Sequence, residues 1–339
     1  MKKMKRTTIN DVAELAGVSS ATVSHVINDT RFVSDELKTK VYEAIQQLNF
    51  SPDSHAKKFR TGIKKIIGLI VPDNSNYYFS TLIEKVEEIV SEKGYNIIIC
   101  NTKEIKEREK KYIKLLSSGL VDGILLASTI EDFEELSDVL PTDFPVVLVD
   151  RIIKNAPLDT VTISTFQSVY QGACDLIRNG HRRIGYIDVD LPYLSPAVER
   201  LEGFRRAMMD SDIEIQEDMV QLLDIEAGTV SSGSISRCID TLISNQITAI
   251  VVVNSDIALK TIFYLEWGKQ IRVGKDIDLV CFNSYYLFNL TQINFIDRPV
   301  AEMGRQAGNQ ILKRIESPSA PIKKIVLPSL YTNKSLSEK

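Results

Sequence analysis

Two short amphipathic stretches open the chain. In the first, Ile9, Val12, Ala13 and Ala16 fall on one face at helical spacing, and Thr8 followed three residues later by Asp11 forms a capping-box start. Gly17 can take the left-handed conformation that ends this helix, and Ser19 is a suitable N-cap for a second one. There Val23, Val26 and Ile27 point inward, while Ser20, Ala21, Ser24, His25 and Asn28 make a stripe of small and polar residues. The turn is too tight for an antiparallel helical hairpin, and the stripe suits a face that enters a groove. The alternative is a helical pair packed on a larger core. A third helix, capped by Ser34, places Leu37, Val41, Ala44, Ile45 and Leu48 on one side, and Asn49 and Pro52 end it. The segment from Asp53 to Arg60 is helix-compatible but about two turns long, too short to be stable alone, so it should order only when something binds it.

From Ile63 the period changes. Apolar runs of four to six residues, among them IIGLIV (66–71), GILLA (123–127), VVLV (146–149), AIVVV (249–253) and DLVCF (278–282), alternate with amphipathic stretches near 79–93, 106–119, 167–179, 198–209, 235–244 and 257–267. Runs of this kind predict strands buried on both faces, joined by crossover helices into parallel sheets. Nine such runs exceed one comfortable open sheet, so two lobes are expected. A last helix, roughly Pro299 to Ile315, precedes a terminal extended segment, KKIVLPSL. Ligands of such sheets sit beyond the carboxyl ends of the strands, which puts the expected cleft between the lobes.

Charge sharpens this division. Residues 1–65 hold 12 Lys or Arg against 7 Asp or Glu, which leaves a net −9 for the rest of a chain whose total is −4. A basic front is the footprint of a phosphate-binding module. The cysteines Cys100, Cys174, Cys238 and Cys281 lie far apart without metal-ligand spacing and read as buried and reduced. No apolar run approaches a membrane span, and MKKMKRTTIN lacks the apolar core of a signal peptide, so a cytoplasmic protein with no membrane partner is expected.

Catalytic patterns fail. The segment Gly268 to Lys275 has five residues between its glycines and Asp276 where a phosphate loop needs Ser or Thr. There is no GxSxG elbow, and the three histidines form no constellation with a nucleophile or metal. Neither cofactor nor metal is implied, and a binding protein is the better reading than an enzyme.

In order and spacing, TINDVAELAGVSSATVSHVIN, LNFSPDSHAKKF, IGLIVPDNSNYYFS, KGYNIIICNT, LVDGILLA, FPVVLVDR, NGHRRIGYI, RLEGFRRAM and EMGRQAGNQIL resemble the lactose-repressor/galactose-repressor family of bacterial transcription regulators along essentially the whole chain. The resemblance implies an all-α helix-turn-helix DNA-binding module (1–50), a hinge helix (51–62) and a two-lobed α/β body like periplasmic binding proteins, with two parallel-sheet, Rossmann-like subdomains (63–339). The N-lobe is expected at about 63–163 plus 298–316, the C-lobe at about 164–297 plus 317–335. It also implies a homodimer on a pseudo-palindromic operator, with the second helix in the major groove and the hinge helices in the minor groove. The expected DNA-contacting set is Thr8, Ser19, Ser20, Ala21, Thr22, Ser24, His25, Asn28, Ala56, Lys57 and Phe59. Ser19, Thr22, Ser24 and Asn28 match phosphate-contacting positions, and Ser20, Ala21 and His25 match base-reading ones. His25 stands where relatives carry Arg or a similar long donor, so it offers one bond where Arg grips guanine with two. Phe59 stands where relatives insert a leucine between base pairs; the alternative is a core aromatic anchoring the linker. Asp53 replaces a customary Asn.

The same comparison places effector contacts at Tyr78, Phe79, Asp150, Arg151, Arg200, Asn254, Asn283 and Arg298. Asn283 replaces a frequent Asp and Arg298 a frequent Gln, which shifts the cleft toward anions. An acidic sugar or sugar phosphate is therefore expected, unless Arg298 and Arg151 form structural salt bridges with Asp297 or Asp150. Three other readings compete: a regulator with a phosphorylated carrier protein as corepressor, disfavoured by the acidic stretch EKVEEIVSEK; a sugar-binding transport component; and a sugar enzyme. No leucine heptad follows Leu330, so a dimer is expected rather than a tetramer.

Overall fold

The computed structural model describes residues 7–28, 30–48, 50, 63–192, 194–225, 229–282 and 293–333. The chain divides into two compact units, with the break between Lys64 and Lys65. The hinge residues Asp53, Ala56, Lys57 and Phe59, and Asn283 in the body, lie outside the described residues, as does the side chain of Asn28.

The front unit is three helices, α1 (Ile9–Ala16), α2 (Ser20–Asn28) and α3 (Asp35–Gln47). Thr8 caps α1 in a full capping box: its side chain accepts from the Asp11 N–H, and the Asp11 carboxylate accepts from the Thr8 N–H at 2.7 Å. Gly17 ends the helix at φ 65°, a conformation that a side chain would strain. Ser19 Oγ then accepts from Thr22 N–H at 3.1 Å and starts α2. Ser34 occupies the cap position of α3, but its side chain makes no capping bond. Val12, Ala13, Val23, Val26, Val33, Val41 and Ala44 form the core, and Ile9, Ala16, Ile27, Leu37, Ile45 and Leu48 pack around it.

The body carries two six-stranded sheets. One holds β1 (Ile66–Val71), β2 (Asn96–Asn101), β3 (Gly123–Leu126), β4 (Val146–Val149), β5 (Asp159–Ser164) and β11 (Lys324–Pro328), in the order β11-β5-β4-β3-β1-β2. The other holds β6 (Ile184–Val189), β7 (Val220–Leu223), β8 (Ala249–Val252), β9 (Asp278–Phe282), β10 (Asn294–Asp297) and β12 (Leu330–Thr332), in the order β12-β10-β9-β8-β6-β7. All pairings are parallel except β10 with β12. The helices are α4 (Tyr77–Ser91), α5 (Lys106–Ser117), α6 (Phe133–Ser137), α7 (Phe166–Arg178), α8 (Ser195–Met209), α9 (Ser232–Ser244), α10 (Ser255–Phe263), which runs on into a π-helical turn over Tyr264–Gly268, and α11 (Val300–Glu316).

The central strands of each sheet are buried on both faces, as their near-continuous apolar runs require. In the first lobe Leu69, Leu125 and Val147 belong to one cluster and Ile70, Ile124 and Leu148 to another. In the second, Ile187, Ile250 and Cys281 face one way and Tyr186, Val251 and Phe282 the other. Cys100, Cys238 and Cys281 are buried free thiols, whereas Cys174 is only half-buried.

One expected boundary is wrong. The segment 317–335 does not belong to the C-lobe as a whole: Lys324–Pro328 pairs in parallel with β5 of the N-lobe, and of its two strands only β12 joins the other sheet. Alternation explains the placement, because Ile325 and Leu327 pack onto the N-lobe cluster while Val326 faces solvent. The two short strands are separated by Ser329 alone, whose hydroxyl donates to the Ser164 carbonyl at 2.7 Å.

Candidate functional site

Both sheets share one strand pattern, with the first strand of each lobe, β1 or β6, flanked by its second and third. At such a point neighbouring crossovers leave on opposite faces, and a crevice opens beyond the strand ends. The two crevices face each other across one cleft of about 780 Å³ including its open mouth. Pro72 and Asp73 reach it from β1, Asp150 and Arg151 from β4, Val189 from β6, Asn254 and Ser255 from β8, and Arg298 from β10. Seven of the eight sequence-predicted effector residues line it; Asn283 is the eighth.

Helix starts also point here. Asn76 caps α4, its Oδ1 accepting from Tyr78 N–H at 2.9 Å, and Asn254 caps α10, its Oδ1 accepting from Asp256 N–H at 3.0 Å and Ile257 N–H at 3.2 Å. Pro196, in the first turn of α8, lines the cleft as well. The positive ends of three helices thus face the cleft. Because capping occupies the Asn254 carbonyl oxygen, its amide NH₂ is the group left for a ligand.

Asp150 sits at φ 67°, and the N–H of Arg151 donates to the Val149 carbonyl at 2.7 Å across it. This is a γ-turn of the strained hand, and it turns the carboxylate into the cleft. Tyr78 Oη donates to Asp150 Oδ1 at 2.5 Å. Burial, with Asp150 alongside, pushes the Tyr78 phenol well above its usual value, so it remains a donor. Phe79 packs edge-on against Tyr78, with ring centroids 5.1 Å apart.

The three arginines differ in their partners. Arg151 grips Glu104 with both terminal nitrogens, at 2.8 and 2.6 Å, and also donates to the Ser128 carbonyl at 3.2 Å. Its Nε lies 3.5 Å from Asp150 Oδ2 and has no hydrogen-bond acceptor. Burial opposes its charge, but Glu104 outweighs burial and holds the guanidinium above its ordinary value. Arg200 is tied to Asp188 through Nε at 2.8 Å and Nη2 at 3.2 Å; burial again opposes the charge and Asp188 outweighs it. Arg298 is different. Its guanidinium lies 4.0 Å from the Tyr78 ring centroid and 4.2 Å from that of Phe282, and its one hydrogen bond among the described residues runs to Ser255 Oγ at 3.4 Å. No carboxylate among the described residues lies within ion-pair distance of it. Burial lowers its pKa despite Tyr78 and Asp150, though an arginine stays charged at neutral pH.

The alternative, structural salt bridges of Arg151 and Arg298 with Asp150 or Asp297, holds for one of the two: Arg151 lies at ion-pair distance from Asp150, although the carboxylate it hydrogen-bonds is that of Glu104. Arg298 makes no ion pair with either aspartate. Sequence reasoning also missed Asp73, Asn76, Glu104, Asp188 and Ser255. The caps Asn76 and Asn254 had a readable signal, Asn ahead of an apolar periodic stretch. The long-range pairs of Arg151 and Arg200 had none.

In the front unit, Ser20 and Ala21 are exposed on the first turn of α2, and Ser24 and His25 are half-buried one turn on. Ser19 Oγ and Thr22 Oγ1 lie 2.9 Å apart, and His25 Nδ1 lies 2.8 Å from Thr30 Oγ1. Thr8 Oγ1 is engaged by Asp11 at 2.7 Å. Among the described residues no helix is long and apolar enough to cross a membrane, and no cluster of side chains could hold a metal.

Residues 8–53 match the profile of bacterial regulatory proteins of the lacI family, and residues 64–334 match that of periplasmic binding proteins and the sugar-binding domain of the LacI family. Among curated proteins, the HTH-type transcriptional repressor PurR of Vibrio atlanticus (strain LGP32) is 32% identical over 313 residues, covering 91% of this chain and 92% of that protein. The HTH-type transcriptional regulator RegA of Clostridium saccharobutylicum is 30% identical over 309 residues, covering 91% and 92%. Among solved structures, the lac repressor dimer bound to operator and the anti-inducer ONPF superposes with a TM-score of 0.82 at 21% identity, covering 97% of this chain and 98% of that one.

Proposed function

The chain belongs to the LacI family of bacterial regulatory proteins, and on that premise we propose that its effector is a small hydroxylated anion, an acidic sugar or a sugar phosphate, bound in the interlobe cleft. The protein is an effector-controlled, DNA-binding transcriptional repressor of the two-lobed class. It binds operator DNA as a dimer, as the lac repressor does. We place it in the cytoplasm, where its operator is, and read it as a binding protein and not an enzyme. The expected DNA-contacting residues are proposed as such: Ser20, Ala21 and His25 toward base edges, with Ser19, Thr22, Ser24 and Asn28 toward phosphates.

The observation that carries the effector reading is Arg298. A guanidinium stacked between Tyr78 and Phe282, with no carboxylate in reach among the described residues, is a cation prepared for a bidentate anion. Arg151, neutralised by Glu104, contributes nothing to that preference. The Asp150 carboxylate and the Asn254 amide are suited to accept from and donate to hydroxyl groups on the same ligand. The exposed acidic residues Glu84, Glu87 and Glu88 of α4, with Glu92 at its C-terminal cap, disfavour a phosphorylated protein partner on that face. Calorimetry with neutral sugars, nucleobases, sugar acids and sugar phosphates tests the reading. Micromolar binding confined to the anions is expected, and a neutral compound binding best would overturn it.

A further inference from the structure

The end of α2 carries a contact that neither the helix nor the core requires. Thr30 lies two residues beyond the helix and is tied back to His25 twice. Its N–H donates to the His25 carbonyl at 3.3 Å, and its Oγ1 lies 2.8 Å from His25 Nδ1. The first tether fixes where the hydroxyl sits, and the second fixes the imidazole. His25 is half-buried and Thr30 exposed, so packing leaves the ring freedom to rotate that this bond removes.

An imidazole carries its two nitrogens on opposite edges, and the partner of one decides what the other can do. With Nδ1 turned back to Thr30, Nε2 is the atom left to face outward. A threonine hydroxyl both donates and accepts, so it serves either tautomer. If it donates to Nδ1, Nε2 carries a hydrogen and reads an acceptor such as guanine N7 or O6. If it accepts from Nδ1–H, Nε2 presents a lone pair to a cytosine or adenine amino group. We propose that Thr30 is a positioning residue for base recognition: it holds His25 so that Nε2 alone reads the major-groove edge of one base pair. The proposal rests on the reading of His25 as a base-contacting residue. It extends the reading unit from the helix to the residue that follows it.

The test uses the full-length protein and a panel of operators substituted one base pair at a time. His25→Ala should flatten discrimination at one position, about tenfold there and little elsewhere. Thr30→Val keeps the shape and the main-chain tether but removes the hydroxyl; it should flatten the same position. Thr30→Ser should restore the wild-type pattern. If Thr30→Val weakens binding equally across the panel, or discriminates as wild type does while His25→Ala does not, the positioning role is overturned. If His25→Ala flattens no position, the base-contact reading itself falls and takes this proposal with it. Nitrogen NMR of the imidazole gives a readout independent of affinity: Thr30→Val removes the hydrogen bond at Nδ1 and should shift the Nδ1 resonance in the free protein, and an unchanged resonance would count against the role.

Discussion

Arg151 and Arg298 carry the same side chain and line the same cleft, yet their surroundings give them opposite work. Arg151, itself buried, answers a half-buried carboxylate 47 residues away in sequence, Glu104. Removing one partner of such a pair strands the other, so Arg151→Met should lower body stability in urea melts by about 3–5 kcal/mol. Arg298 answers no carboxylate among the described residues, so Arg298→Gln should leave the melt within about 1 kcal/mol. The same change should weaken an anionic effector by roughly tenfold or more, given about 1.5–3 kcal/mol for a charged hydrogen bond. Calorimetry with the tightest anion of the panel checks this, and an unchanged affinity would remove Arg298 from the site. The sequence identified both residues but not their difference. Proximity of Asp150 in the chain suggested a partner for Arg151, but the carboxylate it grips with two hydrogen bonds arrives from the turn after β2, where Lys103 and Glu104 both adopt positive φ. Nothing local announces that geometry.

Elements were the most legible scale. The long, strongly periodic ones, such as α4, α7, β1 and β8, fall within a few residues of their predicted ranges, because burial on a fixed face imposes a fixed spacing. The short ones escaped. The five-residue α6 is shorter than any periodicity can mark, and β10 offers only Phe295 and Ile296 as buried residues between polar ends. Packing between elements sets its own test. A Cβ at Gly203 of α8 would lie 2.5 Å from the Phe166 carbonyl oxygen at the start of α7. Gly203→Ala should therefore destabilise the body by about 1–3 kcal/mol despite the better helix propensity of alanine. A thermal melt reads the sign, and a gain in stability would refute so close an approach. The tie between α11 and β5 has a pH signature. Burial works against the Asp159 carboxylate, but bonds from Arg314 at 2.7 and 3.0 Å and from the Lys323 N–H outweigh it and hold its pKa below the ordinary 3.8. That stabilisation is complete above the ordinary value and is lost as pH falls through the lowered one. The stability gap between wild type and Asp159→Asn should be constant at neutral pH and close in acid, as urea melts across the range would report.

At the scale of the whole molecule, a ligand in the cleft can change DNA affinity only by as much as it prefers one lobe arrangement over another, typically about 1–3 kcal/mol, or 5- to 150-fold. Operator affinity measured by fluorescence anisotropy with and without saturating effector should shift within that range. Effector affinity measured with and without operator should shift by the same factor, and unequal factors would rule out a single two-state coupling. The two-lobed plan was readable from strand number and alternation. The split of the terminal segment was not, because KKIVLPSL looks like one extended run and only pairing shows that it serves two sheets. This division bears on how such proteins can be recombined. Each lobe is assembled from separated stretches of gene, and a single stretch of nine residues, 324–332, supplies an edge strand to both. Exchanging one lobe with a relative by a single crossover always leaves a sheet with a foreign border, so new effector preferences are reached more readily by point substitution around the cleft than by shuffling halves.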